Sequence, residues 1–324
     1  MRALAYLLVA AAVAACPLGT SARAADKLLD EVVEFAGTML FLQSHAPAMI
    51  IGVVRNGETA VFGFGETSDG SGKAPDRNTL LRVGSITKGF TGQVLASLVA
   101  DGTVKFSDRL QDRIGWNVTI PSRNGHQIRL IDLVTHSAGL PREVERRSGP
   151  PDDPFATLTP EAYRAALASD PLLFAPGTGA LYSNFGFDVL SAALSHAAGK
   201  PYDVLLKERV LDPVGLKDTV LALRAGDNAR LLQGHDFDGK ALPNVPTPLI
   251  AAGASGLYST ADDILRWLSW HLDRFGGLQG IFSYTAFAPA RGVGAFVAIN
   301  KFDVSAGLAM AGVINHMITE LAPR

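Results

Sequence analysis

A chain of 324 residues that is 48% hydrophobic and 19% charged can bury a large core, so intrinsic disorder is excluded as its resting state. A formal net charge of -2, a pI near 6.4 and the lack of any Lys/Arg run exclude the electrostatic footprint of a nucleic-acid binder. The single cysteine, Cys16, excludes an internal disulfide and a thiolate cluster for a metal.

At the N-terminus Arg2 precedes an apolar run from Ala3 to Ala15, too short to span a bilayer, and Ala22-Arg23-Ala24 offers a small-x-small cleavage site. Residues 1–24 therefore read as a secretory signal peptide, with the mature protein in the periplasm and no transmembrane segment after its removal. Val13-Ala14-Ala15-Cys16 supports an alternative, a lipobox with a lipid anchor at Cys16. Apolar positions at helical spacing predict a helix over Asp26 to Phe41. Two β-branched runs, Ala48 to Val54 and Thr59 to Phe64, flank Asn56-Gly57 and predict a hairpin. Ile86 to Ala100 reads as a helix that buries Phe90, Val94, Leu95 and Leu98 and ends at Asp101-Gly102. From Gln127 to Leu221 short helical stretches alternate with breaks such as Ala138-Gly139-Leu140-Pro141 and Ala175-Pro176-Gly177, predicting a mostly helical region. Ala261 to Leu272 reads as a helix, Ser283 to Phe287 and Val293 to Asn300 as strands, and Ala306 to Leu321 as a closing helix. Strands at both ends with helices between them predict that first and last strands share one sheet.

Ser85-Ile86-Thr87-Lys88 places a hydroxyl and an amine on one face of a helical turn, at the mouth of the helix. A serine becomes nucleophilic when a neighbouring base takes its proton, and a lysine with its pKa lowered by burial can be that base. The helix mouth also favours a developing oxyanion. Tyr182-Ser183-Asn184 adds a phenol able to shuttle a proton and an amide able to hold a substrate amide. His136 reads as a structural histidine, because nothing pairs it with an acid, and the other histidines are scattered. No His-x-x-x-His or carboxylate cluster suggests a metal, no cofactor is expected, and no Gly-x-Ser-x-Gly elbow is present. His235-Asp236-Phe237-Asp238-Gly239 reads as a polar hairpin turn rather than a calcium loop.

Arg82-Val83-Gly84-Ser85-Ile86-Thr87-Lys88, Leu133-Val134-Thr135-His136-Ser137-Ala138-Gly139-Leu140-Pro141, Pro176-Gly177 ahead of Tyr182-Ser183-Asn184, and Gly256-Leu257-Tyr258-Ser259-Thr260 together resemble the class C β-lactamase family of the penicillin-binding-protein superfamily. Within it, Leu140-Pro141-Arg142-Glu143 and Gly294-Ala295-Phe296-Val297 look most like the AmpH type of D-alanyl-D-alanine carboxypeptidase/endopeptidase. The resemblance implies one β-lactamase-like α/β (α+β) domain over residues 25–324. It would have an antiparallel sheet from 25–84 and 280–324, a helical subdomain over 85–279, and the active site between them. It further implies Ser85, Lys88 and Tyr182 as catalytic residues, Asn184 as a substrate-binding residue, and peptidoglycan peptides or β-lactams as partners.

Two departures from that pattern stand in the sequence. Arg274-Phe275-Gly276 fill the place of the family's Lys-Thr-Gly on the edge strand, with Gly277 at the second oxyanion N–H, so Arg274, Gly276 and Gly277 are the remaining candidate substrate-binding residues. Family members also carry several dozen residues between the helix ending near Leu272 and that strand, whereas this chain runs almost directly from one to the other. The resemblance implies a D-alanyl-D-alanine hydrolase that binds penicillin. A β-lactamase or esterase on the same scaffold, or a catalytically impaired penicillin- or peptidoglycan-binding homologue, remains open.

Overall fold

The computed structural model describes residues 27–274, 283–288, 293–299 and 304–321. The expected signal peptide, Cys16, Gly276 and Gly277 lie outside them.

Helix α1 (Lys27–Ser44) presents Leu29, Val33, Gly37 and Leu40, one turn apart, to the interior. It leads into strands β1 (Ala48–Arg55) and β2 (Glu58–Gly65), an antiparallel hairpin closed by the pair Arg55 and Glu58. Asn56 and Gly57 both have positive φ, 50° and 81°, which is the backbone a two-residue primed turn demands and few residue types supply. Helix α2 (Thr87–Ala100) is entered through a 3₁₀ turn, Gly84–Ile86. Helix α3 (Asn184–Ala198), helix α4 (Ala261–Arg274), strand β3 (Ser283–Ala288), strand β4 (Val293–Ile299) and helix α5 (Val304–Leu321) complete the elements that build or support the site. The sheet runs β2-β1-β4-β3 with every pair antiparallel, so strands from both ends of the chain share it.

Strand β1 is apolar throughout and buried from Ala48 to Val54, because helices cover both faces of the sheet. Met49, Ile51 and Val53 join Val293, Ala295 and Val297 under α1 and α5, which contribute Leu29, Val33, Leu40, Met310, Ile314 and Met317. Ala48, Ile50, Val54 and Phe296 point the other way, into a larger core shared with Phe90, Val94 and Leu98 of α2 and with Leu265, Trp267 and Leu268 of α4. Trp267 stacks on Phe90 with ring centroids 4.4 Å apart, and its indole N–H donates to Gln93 Oε1 at 2.8 Å.

The elements expected at both ends stand within a few residues of the observed ones. The middle is less helical than its apolar content suggests. Apart from α3 the helices there are short, for example Leu130–Val134 and Pro160–Ala168, and the stretch 135–159 has none. Its polar groups bond locally instead: Ser137 N donates to Asp132 O at 2.7 Å, and Leu158 N to Phe155 O at 2.8 Å. At 235–239, Asp236 N donates to Lys240 O at 2.9 Å, closing a polar turn. Among the described residues no helix is long and apolar enough to cross a membrane, and no group of three His, Cys, Asp or Glu is placed to hold a metal.

Candidate active site

Leu81 and Arg82 pair with Ser259 and Tyr258, and Val83 N donates to Leu257 O at 3.1 Å, which anchors the 3₁₀ turn ahead of α2. Ser85 sits in that turn. Lys88 lies three residues on and is 8% exposed. Its Nζ is 3.2 Å from Ser85 Oγ, 2.7 Å from Asn184 Oδ1 and 2.9 Å from the carbonyl of Ala254, so three acceptors surround a group with three protons to give. Burial lowers Lys88 from its ordinary value to about 8, against the raising charges of Asp188 and Glu143. A neutral fraction therefore exists near neutral pH.

Tyr182 donates its hydroxyl to Ser85 Oγ at 2.6 Å, and Lys88 Nζ lies 4.7 Å from the Tyr182 ring centroid. Burial raises the phenol above its ordinary pKa, so at neutral pH Tyr182 holds its proton. The start of α3 places Asn184. Ser183 caps the helix, accepting from Gly186 N at 2.8 Å, while its hydroxyl donates to Pro141 O at 2.7 Å. Asn184 then spends both ends of its amide, Oδ1 on Lys88 and Nδ2 on Glu143 Oε1 at 2.6 Å. His136 accepts from Ser183 N at Nδ1, 3.0 Å away, and lies against Tyr182 at 4.5 Å between ring centroids. Burial, assisted by the charge on Lys88, drops His136 to about 4 and keeps it neutral, so it works as a support under the Tyr182 ring.

Ser85, Lys88, Tyr182 and Asn184 thus meet within direct contact, although up to 99 positions apart in the sequence. Gly276 and Gly277 lie outside the described residues, and Arg274 is the last residue of α4 rather than a strand residue. The helical spacing of Ile264, Leu265, Leu268 and His271 carries that helix to its end, a periodicity that motif matching alone does not weigh. The strand that packs against the serine turn is β3 itself.

Four participants receive no role from the sequence, although Arg142 and Glu143 lie in a stretch that carries the family resemblance. The Ala254 carbonyl has no side-chain signature. Glu143 and the Arg142 guanidinium, 4.9 Å from the Tyr182 ring, sit on an irregular loop. Asp188 is the only acidic residue of the apolar helix α3, which was a usable signal, and it is 4% exposed. Beside the cluster opens a cavity of about 480 Å³ lined by Glu143, Phe155, Asn184, Asp188, Thr247 and Ala254.

The family model for β-lactamase matches residues 23–280, and the chain belongs to that family of serine hydrolases. It is similar to the D-alanyl-D-alanine-carboxypeptidase/endopeptidase AmpH of Escherichia coli K12, at 29% identity over 378 residues covering 98% of this chain and 96% of the relative. An alignment of 378 positions against a chain of 324 residues leaves at least 54 positions as gaps in this chain. The crystal structure of a β-lactamase/D-alanine carboxypeptidase from Yersinia pestis superposes with a TM-score of 0.78 at 26% identity, covering 91% of this chain and 98% of the other. A class C β-lactamase superposes with a TM-score of 0.74 at 16% identity, covering 90% and 98%, which shows a shared fold. The architecture is the β-lactamase/transpeptidase one that the sequence resemblance implies.

Proposed function

We propose that this protein is a periplasmic serine acyl-transfer hydrolase that acts on D-alanyl-D-alanine peptides of peptidoglycan and is acylated by penicillins. The observation that carries the reading is the double contact at one oxygen: Ser85 Oγ lies 3.2 Å from Lys88 Nζ and 2.6 Å from the Tyr182 hydroxyl. Neutral Lys88 accepts the Ser85 proton as Oγ bonds to the scissile carbonyl carbon, and the positive end of α2 favours the resulting oxyanion. On collapse the C–N bond breaks, and the leaving amine takes a proton relayed from Lys88 through Tyr182. Water then attacks the acyl-serine ester, its proton returns to Lys88, and Ser85 is released with its own proton restored. Asn184, fixed between Lys88 and Glu143, positions the substrate amide.

The signal-like leader at residues 1–24 supports the compartment, and the AmpH and Yersinia pestis relatives support the substrate class. A fluorescent penicillin is expected to label the protein covalently, Ser85→Ala to remain unlabelled, and a D-Ala-D-Ala peptide to release D-alanine. An unlabelled wild-type protein would remove the acyl-transfer reading. A second reading, a homologue that binds these ligands without turnover, is favoured by the lack of a Lys-Thr-Gly triplet in the sequence. Binding without D-alanine release would select it.

A further inference from the structure

Asp188 has no role in the proposed reaction, yet it is an acid in an apolar helix, one turn after Asn184 and on the same face. A carboxylate this deeply buried is unfavourable unless its oxygens are hydrogen-bonded. Oδ2 accepts the Tyr163 hydroxyl at 2.6 Å, and Oδ1 accepts Ala254 N at 3.1 Å. Ala254 in turn directs its carbonyl to Lys88 Nζ at 2.9 Å. The chain from acid to lysine is therefore two contacts long and passes through a single residue.

We propose that Asp188 is a positioning residue for Lys88, holding Ala254 so that its carbonyl receives the amine and setting, through its charge, how readily Lys88 gives up its proton. The role in the reaction rests on the proposed use of Lys88 as a base; the effect on the lysine itself does not. The groups that face Lys88 are Asp188, Glu143, Arg142 and His136. Glu143 has a side chain 61% exposed, so solvent screens it, and His136 is neutral. Facing Asp188 are Lys88, Glu143, Tyr163 and Tyr202, and both phenols are pushed above their ordinary range by burial and stay neutral. Lys88 is thus the cation that Asp188 answers. Burial lifts the Asp188 carboxyl to about 7 and lowers Lys88 to about 8, while the charge of each opposes that shift in the other.

The alternative is a purely structural tie between α3, the 252–255 turn and the helix Pro160–Ala168. Asp188→Asn separates the two, because it keeps an acceptor for Ala254 N and removes the charge. With ¹³C-labelled lysine, the Cε resonance that disappears in Lys88→Met reports the Lys88 titration directly. The wild type is expected to titrate near pH 8, and Asp188→Asn about one unit lower, the size expected for removing one nearby opposite charge. Tyr163→Phe deprives the carboxylate of one donor, holds its proton more tightly and moves Lys88 the same way by less. Equal midpoints in the wild type and both variants overturn the proposal, and if Asp188→Asn fails to fold, Tyr163→Phe decides alone. Penicillin labelling of the same samples keeps the two readings apart. A shifted midpoint without wild-type labelling retains Asp188 as the lysine's positioning residue and removes the acyl-transfer reading, whereas labelling with unmoved midpoints does the reverse.

Discussion

On the helical side of Ser85 each polar partner is itself held by others. Tyr182 rests on His136, Asn184 spans Lys88 and Glu143, and Lys88 is enclosed by two side chains and a carbonyl. On the sheet side, β3 packs against the Gly84–Ile86 turn, but the sequence has no Lys-Thr-Gly, and Arg274, which the motif spacing put in its place, closes a helix. The contrast separates two tasks. Activating a serine takes groups that share one set of helices and one buried core, so that wall survives changes elsewhere in the chain. Anchoring the far end of a substrate takes a strand in register beside the serine.

The largest effect should come from the intact wall: Lys88→Met is expected to slow acylation by penicillin at least about 1000-fold without loss of the folded state, as measured by stopped-flow labelling. A smaller drop would mean that another group takes the Ser85 proton. Trp267→Ala removes the ring that joins α4 to Phe90 of α2, and should cost about 3–5 kcal/mol in urea unfolding while the acylation rate per folded molecule stays near that of the wild type. If the rate collapses with stability, the two walls are not independent. Tyr182→Phe is expected to slow acylation about 100-fold, the usual size of a proton-transfer contribution.

In the wild type the acylation rate should rise about tenfold per pH unit up to about 8 and level off above it, because Lys88 acts when neutral and only its protonated form accumulates below that pH. A profile flat from pH 6 to 9 would dismiss Lys88 as the base. Arg274→Ala should leave the rate unchanged. A tenfold loss would return Arg274 to the substrate site and restore the sheet wall to the role the motif spacing gave it.

Local patterns in the chain already determined much of this. The Asn56-Gly57 turn, the helix after Ser85, the closing strands and the pairing of Ser85 with Lys88 follow from spacings of four residues or fewer, over which backbone geometry dictates which side chains meet. Tyr182 and Asn184 were legible as a motif, but their approach to Ser85 depends on how α3 is capped and seated, through Ser183, Pro141 and His136. What only the tertiary structure decided is whatever rests on burial or on backbone atoms. The Ala254 carbonyl on Lys88, the neutrality of His136 and the placement of Asp188 behind the lysine arise from segments far apart in the chain, where desolvation rather than residue type sets the charge. The helix at Arg274 belongs to the same class: a motif spacing carries no information about which element continues, whereas a core-facing stripe packed against β1 and α2 does.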